Sequence, residues 1–256
     1  MTPDEKNDKL KQHYYLIKDC QKCDLALSRT KFVFGSGNAN SKIMFVGEAP
    51  GKNEDLQGKP FVGQAGKLLD ELLDLIGYKR NEVFIANVLK CRPPQNRDPR
   101  LEEIVLCKQY LFEQIEIIDP LIVCTLGKYS TQLMLDTNEG ITGLRGRVYK
   151  KNSRYIMPIN HPAAALYAPS RFEILKNDFK KIEKVIAVIK TGVPDPSIEF
   201  EVLDGLGNEN NSTEIEKDVT TEEKYDSDSM VKQVSAIINE NNADDSDINP
   251  EQMGLF

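Results

Sequence analysis

The stretch VFIANVLKCRPPQNRDP, Val83 to Pro99, changes character at its middle. Its first half is apolar, β-branched and aromatic, with the length of a buried strand. Its second half holds three prolines and reads as a loop. The strand ends by delivering an amide side chain, Asn87, and four residues later a cysteine, Cys91. Three more runs share this design: KIMFVGE (Lys42–Glu48), LIVCTLG (Leu121–Gly127) and YIMPIN (Tyr155–Asn160). Near-continuous apolar runs bounded by Gly, Pro or Asn are what parallel strands covered on both faces require. Between them lie segments of helical period. In AGKLLDELLDLIG (Ala65–Gly77), Leu68, Leu69, Leu72, Leu73 and Ile76 share a face and Gly77 ends the helix. PRLEEIVLCKQYLFEQIEII (Pro99–Ile118) is also helical in period, and a last helix covers about Ser170–Ile189. Alternating strands and helices predict an α/β domain with a central, mostly parallel sheet flanked by helices.

In open α/β sheets ligands bind beyond the carboxyl ends of the strands. At those ends this chain places Gly47-Glu48-Ala49-Pro50-Gly51, Asn87, Gly127 and Asn160-His161-Pro162. Glu48, Asn87 and His161 are therefore expected to converge on one pocket, although Glu and Asn also suit turns and caps and a histidine can be structural. Two nucleotide motifs are excluded. GEAPGKNED lacks the P-loop spacing and its Gly-Lys-Ser/Thr, and GSGNAN (Gly35–Asn40) precedes a strand where a dinucleotide fingerprint follows one. The turn Gly47–Gly51 keeps the generic capacity to present backbone N–H groups to an oxygen.

Size and charge bound the remainder. The 256 residues suffice for one large domain plus an appendage. No secretory signal or membrane-length apolar run is found, so a soluble, cytoplasmic protein is expected. The net charge of −7 divides unevenly: Met1–Lys190 carries 30 Lys or Arg against 23 Asp or Glu, whereas Thr191–Phe256 carries 3 against 17. A basic front with an acidic tail is compatible with a polyanionic partner, as it is with ordinary surface charge. Residues 1–190 are read as the folded domain that carries the strand-end residues and the cysteines. Residues 191–256, poor in aromatics and rich in Asn, Asp, Glu and Ser, are read as a disordered tail.

Five cysteines in a cytosolic setting favour metal over disulfides. Cys20 and Cys23 form a C-x2-C pair, and Cys91 and Cys107 a wide C-x15-C pair. Two distant pairs suit a four-thiolate site, for which zinc and an iron–sulfur cluster both qualify. The wide second pair is unlike a zinc ribbon and leans to a cluster. Cys124, inside LIVCTLG, is read as a small core hydrophobe.

FVGEAPGKNEDLQGKPFVGQAGKLLDELL, FIANVLKCRPPQNRDP and INHPAAAL, with the four cysteines in this order, resemble the family 4 uracil-DNA glycosylases over about Leu16–Ile189. The resemblance implies a three-layer glycosylase fold and a monomeric enzyme. Such an enzyme flips uracil out of single- or double-stranded DNA and hydrolyses its N-glycosidic bond, leaving an abasic site that starts base excision repair. It further implies that Gly47, Glu48 and Ala49 line the pocket, Phe61 stacks on the base, Asn87 reads its edge and His161 contacts it near O2. It implies that Cys20, Cys23, Cys91 and Cys107 hold a 4Fe-4S cluster. Glu48 and His161 are the candidate catalytic residues. Where family 1 enzymes carry a water-orienting Asp, this chain has Ala49, so Glu48 or Asp55 is left as a candidate base. Leu166 is the candidate wedge, with Tyr167 or Arg171 beside it. Gln252, Leu255 and Phe256 of the terminal QMGLF resemble the anchors of sliding-clamp ligands in part. A glycosylase with another base preference, or a non-catalytic metal-containing DNA-binding protein, stays open as an alternative.

Overall fold

The computed structural model describes residues 1–203 other than Asn152 and Tyr167. The tail residues Gln252, Leu255 and Phe256, and Tyr167 of the candidate wedge, lie outside them. Seven strands form one sheet: β1 (Ser36–Gly37), β2 (Ile43–Gly47), β3 (Phe84–Asn87), β4 (Ile122–Leu126), β5 (Val148–Lys151), β6 (Arg154–Ile159) and β7 (Phe200–Val202). Their order is β1-β3-β2-β4-β6-β5-β7. The central four, β3, β2, β4 and β6, are mutually parallel, while β1 and β5 add antiparallel flanks. The helices are α1 (Pro3–Ile17), α2 (Leu25–Ser28), α3 (Lys52–Gln57), α4 (Gln64–Leu75), α5 (Leu101–Ile118), α6 (Lys128–Leu135), α7 (Ile141–Leu144) and α8 (Pro169–Thr191).

The four apolar runs that predict strands are the four parallel strands, and the physical reason is visible in their burial. Successive side chains point to opposite faces. Met44, Val46, Phe84, Ala86 and Val123 join Leu10 of α1 and Leu111 and Ile115 of α5 in one core. Ile43, Phe45, Ile85, Ile122 and Cys124 join Leu69 and Leu73 of α4 and Phe179 and Ile182 of α8 in the other. Both faces are dry, giving a three-layer α/β/α domain. Because β3 lies to one side of β2 and β4 to the other, the loops leaving β2 and β4 diverge, opening a crevice at the strands' carboxyl ends.

β1, β5, β7, α1, α2, α3, α6 and α7 lie outside the elements that the sequence predicts, and the two ends of the chain show why. Helix α1 has little apolar character, yet Thr2 accepts from the Glu5 N–H while the Glu5 carboxylate accepts from the Thr2 N–H, and Pro3 opens the first turn. That capping box is its sequence signal. At the other end, the ordered chain passes the expected boundary at Lys190. Ile198 is buried, β7 pairs in parallel with β5, and the Leu203 N–H donates to the Lys150 carbonyl. The acidic composition of residues 191–256 averages over this short alternation of Ile198, Phe200 and Val202, which suffices for one edge strand.

Candidate active site

Beyond the ends of β2, β3 and β6 lies a cavity of about 530 Å³. Its wall includes Glu48, Ala49, Phe61, Asn87, His161 and Leu166. The three polar strand-end residues therefore do share one pocket, as their positions predict. Asn87 ends β3 with 2 % exposure, and its Oδ1 has no hydrogen-bond partner among the described residues. A buried amide oxygen without a donor is costly, of the order of 1–3 kcal/mol, and the donor it lacks is one a ligand can bring. Gly47 does not line the cavity surface itself. A Cβ there would lie 2.4 Å from Asn87 Oδ1 and 2.6 Å from the Phe61 ring, so only glycine lets amide and ring meet.

Phe61 is held in a left-handed backbone conformation, φ 52°, unusual for an aromatic residue. Three contacts impose it. Glu54 Oε1 accepts from the Val62 and Gly63 N–H groups at 2.8 and 2.9 Å, and Arg80 donates to the Pro60 carbonyl while bridging to Asp70. Gly66 in α4 lies so close that a Cβ would fall 1.8 Å from the Phe61 carbonyl oxygen. The ring ends up stacked with His161, centroids 5.5 Å apart and planes 26° from parallel.

His161 caps the short helical turn Pro162–Ala165, its Nδ1 accepting from the Ala163 N–H at 3.1 Å. That bond settles the tautomer, since an accepting Nδ1 leaves the proton on Nε2. Burial lowers the ring's pKa to about 4, so at neutral pH it is a neutral imidazole with one N–H to give. Glu48 responds oppositely: burial first, then the nearby Asp98 carboxylate, raise its pKa to about 7, with Lys128 opposing. A carboxylate near its midpoint at neutral pH can accept a proton and release it. Asp55, the other candidate base, is excluded by geometry. It is 4 % exposed, accepts from the Thr30 N–H at 2.8 Å, and is not in the cavity wall. Leu166 does reach the wall, whereas Arg171 is exposed on α8.

Sequence reading missed the supports. Lys90, fully buried, donates to the Asn87 carbonyl at 3.0 Å and to Gln114 Oε1 at 2.6 Å, and Gln114 donates to the Phe34 carbonyl. A lysine directly after an apolar run was the available signal. Burial lowers its pKa to about 8, against the influence of Cys107.

The four paired cysteines also come together. Cys20, Cys23, Cys91 and Cys107 all line one cavity between the end of α1, the start of the proline loop and α5, with Leu25, Phe32, Leu89 and Leu106 among its apolar walls and Lys22, Lys90 and Tyr110 among its polar ones. Burial pushes the thiols of Cys23 and Cys91 up, and that of Cys107 to about 12. Donors nevertheless face the sulfurs: the Tyr110 hydroxyl lies 3.2 Å from Cys20 Sγ and Arg29 Nη1 3.4 Å from Cys91 Sγ. Among the described residues, no three Cys, His, Asp or Glu side chains converge tightly enough to share one metal ion. Cys124 is apart from this group, fully buried in the α4–α8 core.

Comparison with known proteins accords with this site. Residues 34–188 match the model of the uracil DNA glycosylase superfamily. The chain is 48 % identical to a type-4 uracil-DNA glycosylase of Sulfurisphaera tokodaii over 178 residues, covering 66 % of this chain and 81 % of that protein. It is 47 % identical to the type-4 enzyme of Archaeoglobus fulgidus over 65 % of this chain and 87 % of the relative. With that of Thermotoga maritima it shares 42 % identity, over 68 % and 91 %. With matches of this extent, and with its strand-end pocket, the chain belongs to the type-4 uracil-DNA glycosylases of the uracil DNA glycosylase superfamily.

Proposed function

We propose that this chain excises uracil from DNA by hydrolysing the N-glycosidic bond, and that Asn87 carries the choice of base. The observation behind the reading is the orphaned Asn87 Oδ1 in a pocket walled by Phe61 and His161. Uracil offers a donor at N3 and an acceptor at O4; cytosine offers the reverse. An acceptor waiting without a donor, beside its own amide N–H2, complements uracil and leaves cytosine with two mismatched contacts.

A duplex hides the glycosidic bond, so the nucleotide must leave the stack to enter the cavity. The base lies on Phe61, against Asn87. As the C1′–N1 bond breaks, its electron pair passes to the uracil ring, and the charge on O2 is met by Nε2–H of His161 and backbone N–H groups following Glu48. Glu48, ionised, takes the proton of the water that bonds to C1′. Ala49 stands where family 1 enzymes carry a water-orienting Asp, which leaves Glu48 for this role, since Glu54 of the same wall already holds the Val62 and Gly63 N–H groups.

Cys20, Cys23, Cys91 and Cys107 would hold a 4Fe-4S cluster. The donor set fits. All four are thiols lining one cavity, with N–H and O–H groups turned to the sulfurs of Cys20 and Cys91, a donor set that suits iron and sulfide. When bound, the cluster would supply cationic iron against the thiolates of Cys23, Cys91 and Cys107 that burial otherwise disfavours, fastening the end of α1 to the proline loop and α5. Gln252, Leu255 and Phe256 would serve as sliding-clamp anchors. No helix of the described residues is long and apolar enough to cross a membrane.

The experiment is excision from oligonucleotides carrying uracil, hypoxanthine, mismatched thymine or cytosine, scored by alkaline cleavage at the abasic site. Uracil strands should be cleaved and cytosine strands left intact. Cleavage confined to hypoxanthine or thymine, or none at all with DNA binding retained, would reject the assignment.

A further inference from the structure

The proline loop carries a feature that neither the pocket nor the thiol cavity uses. Gln95 and Asn96 both adopt left-handed backbone conformations, with φ of 56° and 54°. Asparagine tolerates this region, but for glutamine it is strained by an amount of the order of 1 kcal/mol or more. The surroundings fix the conformation. Pro93 and Pro94 restrict the approach, the Asn96 and Arg97 N–H groups close turns onto the Pro93 and Pro94 carbonyls, and Arg92 Nε donates to Asn96 Oδ1 at 2.8 Å. Arg97 then anchors the loop to α5 through paired bonds to Glu103, which is 3 % exposed and also accepts from the Arg100 N–H. The loop is rigid, and at its tip Gln95 is exposed with no hydrogen bond among the described residues.

Its position is informative. Pro93, Asn96 and Arg97 line the pocket from the β3 side, and Ala163 and Leu166 line it from the β6 side, with β2 and β4 between. The two loops thus flank the opening. Gln95 itself is not in the wall, but it stands between Pro93 and Asn96, which are, and its side chain projects from a strained backbone beside the opening without a partner among the described residues. Gln95 offers both a donor and an acceptor, the equipment for a base edge. We infer that Gln95 is a specificity-determining contact to the base left unpaired when uracil leaves a duplex, so that it favours duplex over single-stranded substrate. This rests on the excision function proposed above.

Gln95→Gly tests it with two readouts of opposite sign. Glycine relieves the left-handed strain, so the variant should melt a few degrees higher than the parent. The ratio of excision rates on duplex and single-stranded uracil should nevertheless fall about tenfold, the usual worth of a hydrogen bond lost. Placing an abasic site opposite uracil should erase the difference between variant and parent. An unchanged ratio would overturn the inference, as would a loss of equal size opposite an abasic site. Inactivity of the parent on uracil in every context would instead remove the function on which it rests. Gln95→Ala, which keeps the strain and removes the amide, should show the same ratio without the gain in melting temperature.

Discussion

The pocket and the thiol cavity lie at the two ends of one segment, Asn87 to Cys91, and are held together in opposite ways. Around the pocket nearly every positioning group has a partner within the chain: Glu54 on two backbone N–H groups, His161 on Ala163, Lys90 on Asn87. What is left unsatisfied, Asn87 Oδ1, belongs to a residue of the pocket wall. Around the thiol cavity the chain supplies one C-x2-C pair from beyond α1 and two cysteines from elsewhere, with Arg29 and Tyr110 reaching sulfurs from neighbouring segments. The first region is preorganised by hydrogen bonds and, in the function proposed, would read the base through one polar atom. In the second, the proposed cluster would supply the cohesion through the sulfurs. Damage to the first should therefore appear in rates and selectivity, damage to the second in stability.

The largest effect is expected at Asn87. Asn87→Asp replaces the N–H2 donor by a second acceptor, so uracil O4 meets an oxygen in a desolvated pocket. Excision of uracil should drop by roughly 10²–10⁴-fold, with residual preference moved toward cytosine and little change in melting temperature. Asn87→Ala should lose uracil excision without gaining cytosine. Uracil excision by Asn87→Ala at the parental rate from a duplex would reduce Asn87 to a turn residue.

Cys91→Ala probes the other end of the segment. Losing one of four ligands should lower the melting temperature by about 10 °C, corresponding to several kcal/mol for a domain of this size, and bleach the broad absorption near about 400 nm expected of the purified protein. The uracil-to-cytosine preference of the remaining folded fraction should stay as in the parent. A colourless parent holding stoichiometric zinc would contradict the cluster, and a changed base preference would contradict the division between the two regions.

A smaller effect separates the two carboxylates of the β2 loop. Glu54 holds two backbone N–H groups on one oxygen, whereas Glu48, half-buried and near Asp98, has its pKa raised to about 7. If ionised Glu48 is the base, the rate should rise with pH through about 7. His161, with its pKa lowered to about 4, stays neutral across that window and adds no limb there. Asp98→Asn removes a neighbouring negative charge, so the Glu48 pKa should fall and the limb move to lower pH. Tyr129, which donates to Asp98 at 2.7 Å, should still find an acceptor in the amide oxygen. A limb unmoved by Asp98→Asn, or persisting in Glu48→Gln, would assign the titration elsewhere.

How legible this was follows from which forces act locally. The parallel strands β2, β3, β4 and β6 announced themselves because burial on both faces forces an unbroken apolar run. The strand-end rule then placed Glu48, Asn87 and His161 without knowledge of any contact. The edges were harder. β1 has two residues, and β7, the edge, and β5 beside it carry polar residues that this margin of the sheet permits. Phe61 could be assigned by resemblance, but its left-handed backbone depends on Glu54, Arg80 and Gly66, whose convergence no local pattern encodes. Asp55 was misleading for the same reason, since its partner Thr30 is distant in sequence.

The smallest effect is expected from the acidic end, and its size depends on where the cut is made. Removing residues 204–256 leaves every described element in place, so excision from short oligonucleotides should stay within about twofold of the parent. If Gln252, Leu255 and Phe256 are clamp anchors, affinity for a sliding clamp measured by calorimetry should be lost with them. Cutting instead at Thr191, where composition changes, also removes β7 and bares the edge of β5. Ile198 and the ring contact of Phe200 with Tyr155 go with it. Burying one such side chain is worth about 1.5–3 kcal/mol, so the shorter protein should melt roughly 5 °C below the longer one. Equal melting temperatures for the two truncations would show that β7 adds nothing to the sheet and that the folded part ends with α8. Unchanged clamp affinity would remove the anchors and leave the tail without that partner.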